Sequence, residues 1–522
     1  MSGWTLRLDG SDLPERELPD RELIGGKAWS IARMLSLGLN VPPAFVITTR
    51  ACAAYQRGGF PEGLAEEIAE QLHWLEQVTS RSFGGGEAPL LLSVRSGAAV
   101  SMPGMMDTVL NLGITDATEA ALASESGQRD FARDTHRRFL ELYATIVLKA
   151  PPLHLDPAAT PADWRRAVED AGGIPVASDP HAQLLAAVQA VFDSWNSRRA
   201  RKYRQHNNIP DDLGTAVTIQ AMVFGNLDSQ SGTGVLFSRN PLTGAREPFG
   251  EYLPQAQGED VVSGRFTPLP LDAMRARAAT AHDQLLAASE RLERESADMQ
   301  DIEFTVQKGT LYLLQARSAK RAPEAAVRCA VEMADEGLIS RSEALSRVSA
   351  EQAAELLRPR LAENATQDCQ PLARGQGACP GIAHGLVVIT PDEAEARAKA
   401  GEDVILARET TSPDDIHGMI AARGIMTAQG GATSHAAVVS RALGRPCVVG
   451  CGAGILALAG QMVTIDGAGA IYAGALPMVV PEPADHVWFS RLLDWAEAAG
   501  ETRFTAPAVD TAMRASGASH GR

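Results

Sequence analysis

One histidine occupies a position in the sequence where its side chain could carry a phosphoryl group. Two glycines and an alanine lead into a pair of hydroxyl residues, Thr433 and Ser434, and His435 follows them directly. Apolar residues then recur at helical spacing up to Gly444, so we expect a helix that begins near His435, with Thr433 or Ser434 as its N-cap. The N–H groups at a helix start favour anions, and a neutral imidazole is a nucleophile near pH 7. These residues alone leave two interpretations open: a histidine that carries phosphate, and one that merely lines a loop.

A second group of reactive side chains lies on a predicted β-hairpin. Residues 301–306 alternate in character, so Asp301 and Glu303 should project from one face of a strand. The returning strand places Gln315 and Arg317 on a common face by the same spacing. Two carboxylates beside an arginine and an amide fit a magnesium–triphosphate site, because Mg²⁺ prefers oxygen ligands and phosphates need a cation. A salt-bridged edge hairpin is the alternative that this pattern leaves open.

Other charged side chains lie beside glycines or small residues, where backbone amides can approach an anion closely. Lys27 follows two glycines at a predicted helix start, and Arg95 ends a short strand before a loop of small residues. Acidic side chains, Glu251, Glu259 and Asp260, occur in two glycine-flanked loops further along. The glycine spacing around Lys27 is not that of a P-loop. Taken alone, this lysine is better explained as a solvated surface side chain.

The composition restricts the possible partners and cellular location. The 522 residues are 45% hydrophobic and 21% charged, and the formal net charge of −16 is spread along the chain. An acidic surface disfavours nucleic acid and anionic membranes as partners. The N-terminus lacks the pattern of a signal peptide, and no run of about eighteen apolar residues predicts a membrane span. Six cysteines without a CxxC pair predict neither zinc nor disulfides, so we expect a cytoplasmic protein.

The order of predicted elements indicates an α/β multidomain protein. Strands and helices mix up to residue 321, with a helical insertion at about 116–180. Residues 322–373 are rich in alanine, glutamate and arginine and predict a helical linker. A compact α/β unit follows at 374–480, and the tail, 481–522, ends in about ten frayed residues.

Taken together, the motifs resemble those of the pyruvate phosphate dikinase family over nearly the whole chain. The resemblance rests on residues 101–108, 250–262, 299–304 and 433–435. It implies an ATP-grasp nucleotide-binding domain at 1–321 and a swivelling β/β/α phosphohistidine domain at 374–480. Ala432 departs from the family pattern, which usually has methionine at this position.

The resemblance also implies a role for each reactive residue. His435 matches the phosphohistidine, and Thr433 matches a threonine at which plant members are regulated by phosphorylation. Asp301 and Glu303 match carboxylates that hold Mg²⁺. The residues that match the binding site for ATP and phosphate are Lys27, Arg95, Glu251, Glu259, Asp260, Gln315 and Arg317. In this family, ATP and phosphate phosphorylate the histidine and give AMP and pyrophosphate.

The family's C-terminal TIM barrel, which transfers the phosphoryl group to pyruvate, would begin near Asp485. Residues 488–517 resemble its first helix and strand, and the sequence contains no more of it. We therefore expect this chain to phosphorylate His435. The phosphoryl group would then pass to pyruvate, forming phosphoenolpyruvate, or to another acceptor on a separate barrel chain or partner. The alternative is a catalytically silent nucleotide-binding remnant or interaction module.

Overall fold

The computed structural model describes residues 3–9, 18–100, 102, 106–262, 266–357, 360–362, 365–367, 369–479 and 481–504. The chain divides into two units, Met1–Gly232 with Phe304–Ala316 and Thr233–Glu303 with Arg317–Arg522. Both units mix helices with sheets, which confirms the predicted α/β class. Part of the 101–108 motif (Ser101, Pro103, Gly104 and Met105) and the predicted frayed tail lie outside the described residues.

The first unit is built on a five-stranded antiparallel sheet. The strands of this unit up to residue 232 are β1 (Thr5–Leu8), β2 (Ala44–Ile47), β3 (Ser82–Phe83), β4 (Pro89–Leu90), β5 (Leu92–Gly97), β6 (Thr108–Leu112) and β7 (Ala216–Ala221). Its helices are α1 (Arg21–Ser36), α2 (Thr49–Gly58), α3 (Leu64–Thr79), α4 (Asp116–Ser126), α5 (Arg129–Ile146), α6 (Pro161–Gly172), α7 (Pro180–Ser194) and α8 (Arg198–His206). The order in the large sheet is β1-β2-β7-β5-β6, and β3 pairs with β4.

The core of this unit lies between the sheet and the helices. Strands β2 and β7 are buried along their whole length. Strand β2 is an apolar run, whereas β7 also buries the polar residues Thr218 and Gln220. The predicted helical insertion contains α4, α5 and α6, and capping boxes begin α4 at Thr115 and α6 at Thr160. Phe139, Trp164 and Phe192 join these helices and α7 to the core.

A second five-stranded sheet contains the predicted hairpin. Its strands are β8 (Gly232–Phe237), β9 (Phe249–Pro254), β10 (Leu269–Pro270), β11 (Gln300–Gln307) and β12 (Thr310–Ser318), in the order β10-β9-β8-β11-β12. Helices α9 (Gly258–Val262) and α10 (Ala279–Ser296) connect its strands. The distal part of the hairpin, Phe304–Ala316, belongs to the first unit, and its base belongs to the second.

The rest of the second unit contains the predicted helical linker and an eight-stranded sheet. The linker holds α11 (Pro323–Asp335), α12 (Arg341–Arg347), α13 (Ala350–Leu356) and a short strand, β13 (Arg360–Leu361). The remaining strands are β14 (Ala373–Arg374), β15 (Gln376–Cys379), β16 (Ile382–Val388), β17 (Val404–Arg408), β18 (Gly424–Thr427), β19 (Cys447–Val449), β20 (Met462–Asp466), β21 (Ala470–Ala473) and β22 (Met478–Val479). The remaining helices are α14 (Pro391–Lys399), α15 (Ile416–Ala421), α16 (His435–Leu443) and α17 (Val487–Ala499).

Four central strands of this sheet are parallel. The order is β14-β21-β20-β16-β17-β18-β19-β15, and β16 to β19 run in the same direction. Helices α14, α15 and α16 form the three connections between them. The loops that follow β17 and β18 therefore leave the same edge of the sheet, which places Thr411 beside the residues that lead into α16.

Candidate active site

His435 is the first residue of α16, as the sequence predicts. Ser434 occupies the N-cap position, but its side chain makes no capping hydrogen bond, and its Oγ is buried without a partner among the described residues. The predicted helix start and N-cap position are therefore confirmed, but the Ser434 hydroxyl does not form the capping hydrogen bond. Helix α16 ends at Gly444, which adopts a left-handed conformation (φ 63°) as the C-terminal glycine.

The two ring nitrogens of His435 have different surroundings. Nδ1 lies 3.0 Å from the Thr411 hydroxyl, whereas Nε2 is buried and has no hydrogen-bond partner among the described residues. Burial lowers the pKa of His435 to about 4, and the negative charge of Asp415 opposes this shift only in part. The imidazole is therefore neutral at pH 7. If Nδ1–H donates to Thr411, Nε2 presents its lone pair and can act as a nucleophile.

The histidine loop (residues 430–434) is held by a carboxylate from another sheet. Glu251, on β9, accepts hydrogen bonds from the Ala432 N–H at 2.9 Å, the Thr433 N–H at 3.1 Å and the Thr433 hydroxyl. A Cβ at Gly431 would come within 2.5 Å of the Glu251 carboxylate, so only glycine admits this close approach. The loop thus binds an anion at its backbone amides, and that anion is a side chain of the same unit.

Thr433, the predicted regulatory residue, is buried with 1% of its surface exposed. Because its hydroxyl is bonded to Glu251, a modifying enzyme would reach it only after this contact opens. Regulation at Thr433 remains a prediction. The nucleotide-binding role of Glu251 also remains a prediction, and both of its carboxylate oxygens bind the histidine loop in this structure.

The predicted metal ligands Asp301 and Glu303 lie on β11 and face the same arginine. The Nε of Arg317 donates to Asp301 Oδ2 at 2.9 Å, and its Nη2 lies 3.9 Å from Glu303 Oε1. Both carboxylates therefore share one face of the strand, as the alternation predicts. Strand β12, which carries Arg317, is an edge strand, so the salt-bridged hairpin foreseen as the alternative is also present.

One further observation favours a ligand at these carboxylates. Asp301 is 3% exposed, and its Oδ1 has no hydrogen-bond partner among the described residues. An unsatisfied buried carboxylate oxygen is costly unless something else binds it. In the described part of the chain, no three acidic, histidine or cysteine side chains are grouped as metal ligands. Two carboxylates still fit Mg²⁺, which usually keeps water and substrate phosphate among its ligands.

In the first unit, Arg95 and Gln315 are brought together. Arg95, on β5, donates from Nη2 to the Gln315 side-chain oxygen at 3.4 Å. Lys27 lies in α1 just after a break at Gly25, whose φ of 74° is not helical. A Cβ at Gly25 would meet the Gly97 carbonyl at 1.8 Å, so this glycine lets the helix start pack directly on the end of β5. Lys27 therefore lies beside the strand that carries Arg95.

The remaining two acidic residues lie together in α9. Asp260 is buried, and its Oδ2 accepts the Gln257 backbone N–H at 2.9 Å, which fixes the start of the short helix. Glu259 precedes it and is half-buried. Their predicted role in phosphate binding remains a prediction.

Sequence reasoning did not select two residues that contact this site. Thr411 orients His435 from the loop after β17, and Arg441 contacts the histidine loop from the other end of α16. Parallel neighbouring strands would have pointed to Thr411, because their following loops meet at one edge of a sheet. Nothing in the local pattern around Arg441 distinguishes it from a surface arginine in the last turn of a helix.

Comparison with protein families matches both parts of the chain. Residues 21–79 and 56–281 match the family model of the pyruvate phosphate dikinase AMP/ATP-binding domain. Residues 400–469, which include the histidine loop and α16, match the mobile domain of PEP-utilising enzymes. These two matches place the chain in the class of PEP-utilising enzymes that carry a nucleotide-binding domain.

Individual relatives agree with these matches. A pyruvate, phosphate dikinase of Rhizobium meliloti (strain 1021) is 42% identical over 573 residues, which cover 99% of this chain and 63% of the relative. Chloroplastic pyruvate, phosphate dikinase 1 of Oryza sativa subsp. japonica and pyruvate, phosphate dikinase 2 of Zea mays are each 47% identical, over 85% and 83% of this chain. The chain belongs to the pyruvate, phosphate dikinase family, which confirms the resemblance. It spans 50% and 51% of the two plant relatives.

Among the helices of the described residues, none is long and apolar enough to cross a membrane.

Proposed function

We propose that this chain transfers phosphoryl groups from ATP to His435 in a pyruvate phosphate dikinase-like reaction. The observation that carries the proposal is the state of the imidazole: neutral, held at Nδ1 by Thr411, and with an unpartnered Nε2. A histidine buried for structural reasons alone would be expected to use both nitrogens in hydrogen bonds.

In the proposed sequence of steps, Nε2 attacks the β-phosphorus of ATP, the bond to the α-phosphate oxygen breaks, and AMP leaves. Inorganic phosphate then takes the terminal phosphoryl group and leaves as pyrophosphate, so one phosphoryl group stays on His435. Catalysis of this kind depends on positioning and charge neutralisation. In the first unit, Lys27, Arg95 and Gln315 would bind phosphate oxygens. In the second, Arg317 would do so, and Glu251, Glu259 and Asp260 would line part of the nucleotide and phosphate pocket.

Magnesium would supply positive charge next to the phosphates and would be held by Asp301 and Glu303. The unpartnered Oδ1 of Asp301 supports this assignment. Arg317 already neutralises part of the charge on these carboxylates, so it would help to keep them oriented without the metal.

Three finer assignments belong to the same proposal. Residues 1–321 would form an ATP-grasp domain, residues 322–373 a linker, and residues 374–480 a swivelling phosphohistidine domain. The family match at 400–469 to a mobile domain supports the last of these. The phosphoryl group would pass to pyruvate or another small acceptor, and the protein would act in the cytoplasm.

The test is retention of label. The chain is incubated with Mg²⁺, phosphate and ATP labelled at the β position, and acid-labile label on the protein is measured with His435→Ala as the control. We expect about one label per chain and release of AMP, and none with the control. Tight ATP binding without AMP or label would instead support the silent nucleotide-binding module.

A further inference from the structure

Arg441 is a buried cation without an acidic partner among the described residues. It lies in the last turn of α16 and is 4% exposed, and it forms no ion pair within the described part of the chain. Burial lowers the pKa of its guanidinium, which reflects the cost of keeping this charge away from water. Buried arginines are normally paired with carboxylates or bind anions, so an unpaired buried arginine points to an anionic ligand.

The hydrogen bonds that Arg441 does make use only one of its nitrogens. Nη1 donates to the Ala378 carbonyl at 3.0 Å and to the Ala432 carbonyl at 2.9 Å, and the guanidinium lies 5.5 Å from the ring centre of Phe237. Nε and Nη2 are buried and have no partner among the described residues. These two nitrogens form the planar fork that binds two oxygens of a carboxylate or phosphate side by side.

The position of Phe237 relates this fork to the predicted metal ligand. Phe237 ends β8, and the next residue, Ser238, donates its N–H to the Gln300 carbonyl at 2.9 Å. Asp301 follows Gln300 on β11. Strand β11, which carries the predicted metal ligand, is therefore the direct neighbour of β8, which carries Phe237. Asp301 Oδ1 is likewise buried and has no hydrogen-bond partner among the described residues. The charge of Asp301 also acts to raise the pKa of Arg441, as expected for groups that are near but not in contact.

A single ligand class would satisfy both groups. An anion alone would bring negative charge towards Asp301, and a cation alone would bring positive charge towards Arg441. A magnesium-bound phosphate has an oxyanion for the fork and a metal for the carboxylate. We propose that the Nε/Nη2 fork of Arg441 binds an oxyanion of a magnesium–phosphate ligand whose metal is held by Asp301. This inference rests on the proposed function and adds to it a phosphate-binding residue from the histidine-carrying helix.

The test compares Arg441→Lys with the unaltered full chain by titration calorimetry, with inorganic pyrophosphate as the probe, with and without Mg²⁺. Lysine keeps the charge and can donate to both carbonyls, but it lacks the fork. A residue that only holds the loop would therefore tolerate lysine. We expect the affinity for pyrophosphate in the presence of Mg²⁺ to fall about tenfold or more, as for loss of a charge-assisted hydrogen bond. Arg445→Lys is the matched control, since Arg445 donates from Nη2 to the Ile420 carbonyl at 3.4 Å.

Parental affinity in folded Arg441→Lys would overturn the inference. If that variant does not fold, the test compares the unaltered chain with Asp301→Asn instead. We expect Mg²⁺ to raise the affinity of the unaltered chain for pyrophosphate and to leave that of Asp301→Asn unchanged. Equal affinity of the unaltered chain with and without Mg²⁺ would also overturn it. The measurement needs no transfer to His435, so failure of the labelling test and failure of this one are distinguishable.

Discussion

Glu251 and Arg441 contact opposite sides of the same residue. The carboxylate accepts the Ala432 N–H at 2.9 Å, and the guanidinium donates to the Ala432 carbonyl at 2.9 Å. The two side chains come from different elements, β9 and α16, and Ala432 is fully buried between them. The histidine loop is therefore held at Ala432 by two side chains of opposite charge.

Glu251→Gln should loosen this loop. The amide keeps the size of the side chain but loses the charge, and one of its ends can no longer accept a hydrogen bond. Loss of charge-assisted hydrogen bonds from two backbone amides should cost about 1–3 kcal/mol of local stability. Hydrogen exchange of peptides that contain residues 430–434, followed by mass spectrometry, should become correspondingly faster. Glu247→Gln, at an exposed glutamate nearby, is the control. Equal exchange rates in the two variants would contradict the role of Glu251.

Thr411→Val should slow phosphorylation of His435 without weakening ATP binding. Valine keeps the shape but removes the hydroxyl that holds Nδ1, so the ring loses its orientation and its fixed tautomer. One hydrogen bond of about 1 kcal/mol corresponds to roughly a fivefold loss in the rate of label incorporation at saturating ATP. Thr411→Ser restores the hydroxyl and should recover most of the rate. A fall in ATP affinity with an unchanged maximal rate would argue against this role.

The pKa of His435 predicts an acid-dependent loss of stability. Burial lowers this pKa from 6.5 to about 4 in the folded chain, so between these values the unfolded chain binds a proton that the folded chain does not. The contribution of His435 to the free energy of unfolding is therefore fully present above pH 6.5. It decreases as the pH falls towards 4, by about 3 kcal/mol in all.

Urea unfolding of the unaltered chain and of His435→Gln at pH 7 and pH 4.5 measures this contribution. The carboxylates titrate in both proteins, so only the difference between the two pH dependences belongs to His435. We expect the unaltered chain to lose more stability than the variant. A parallel loss in both would mean that His435 titrates near its ordinary value.

Asp301→Asn should reduce labelling of His435 and change its dependence on Mg²⁺. The substitution removes the charge of a buried carboxylate whose Oδ1 is unpartnered in the described residues. We expect at least about a tenfold higher Mg²⁺ requirement, the scale typical of damaged metal sites. Asp283→Asn, at an aspartate whose side chain is 64% exposed, should leave that requirement unchanged. An unaltered requirement in Asp301→Asn would remove the support for this metal site.

The sequence predicts the local elements of the site well, because they follow from local pattern. The start of α16 is found where the glycines and the apolar spacing place it, and alternation correctly puts Asp301 and Glu303 on one face. The break at Gly25 was not predicted as such. It depends on the approach of Gly97, a contact between residues that are distant in the sequence.

What the sequence does not reveal is which groups meet across the fold. A serine before a helix predicts a hydroxyl cap, but the Ser434 hydroxyl makes no capping bond. The preceding backbone amides of Ala432 and Thr433 bond instead to Glu251, which is 181 residues from Ala432. Thr411 contacts His435, and Arg441 contacts Ala432. Both contacts arise only when the sheet and helix pack, so the local sequence does not indicate them. Local periodicity contains no information about such pairs.

The hydrogen bond between Thr411 and His435 joins two consecutive connections between the parallel strands of the eight-stranded sheet. If the phosphohistidine domain moves as proposed, donor and acceptor travel together, and the imidazole would arrive at any second partner with its ring already aligned. Glu251, on a strand of a different sheet, would stay behind. The orientation of the imidazole would thus be kept wherever the domain moves, whereas the contact of Glu251 with the histidine loop would exist only in the position described here.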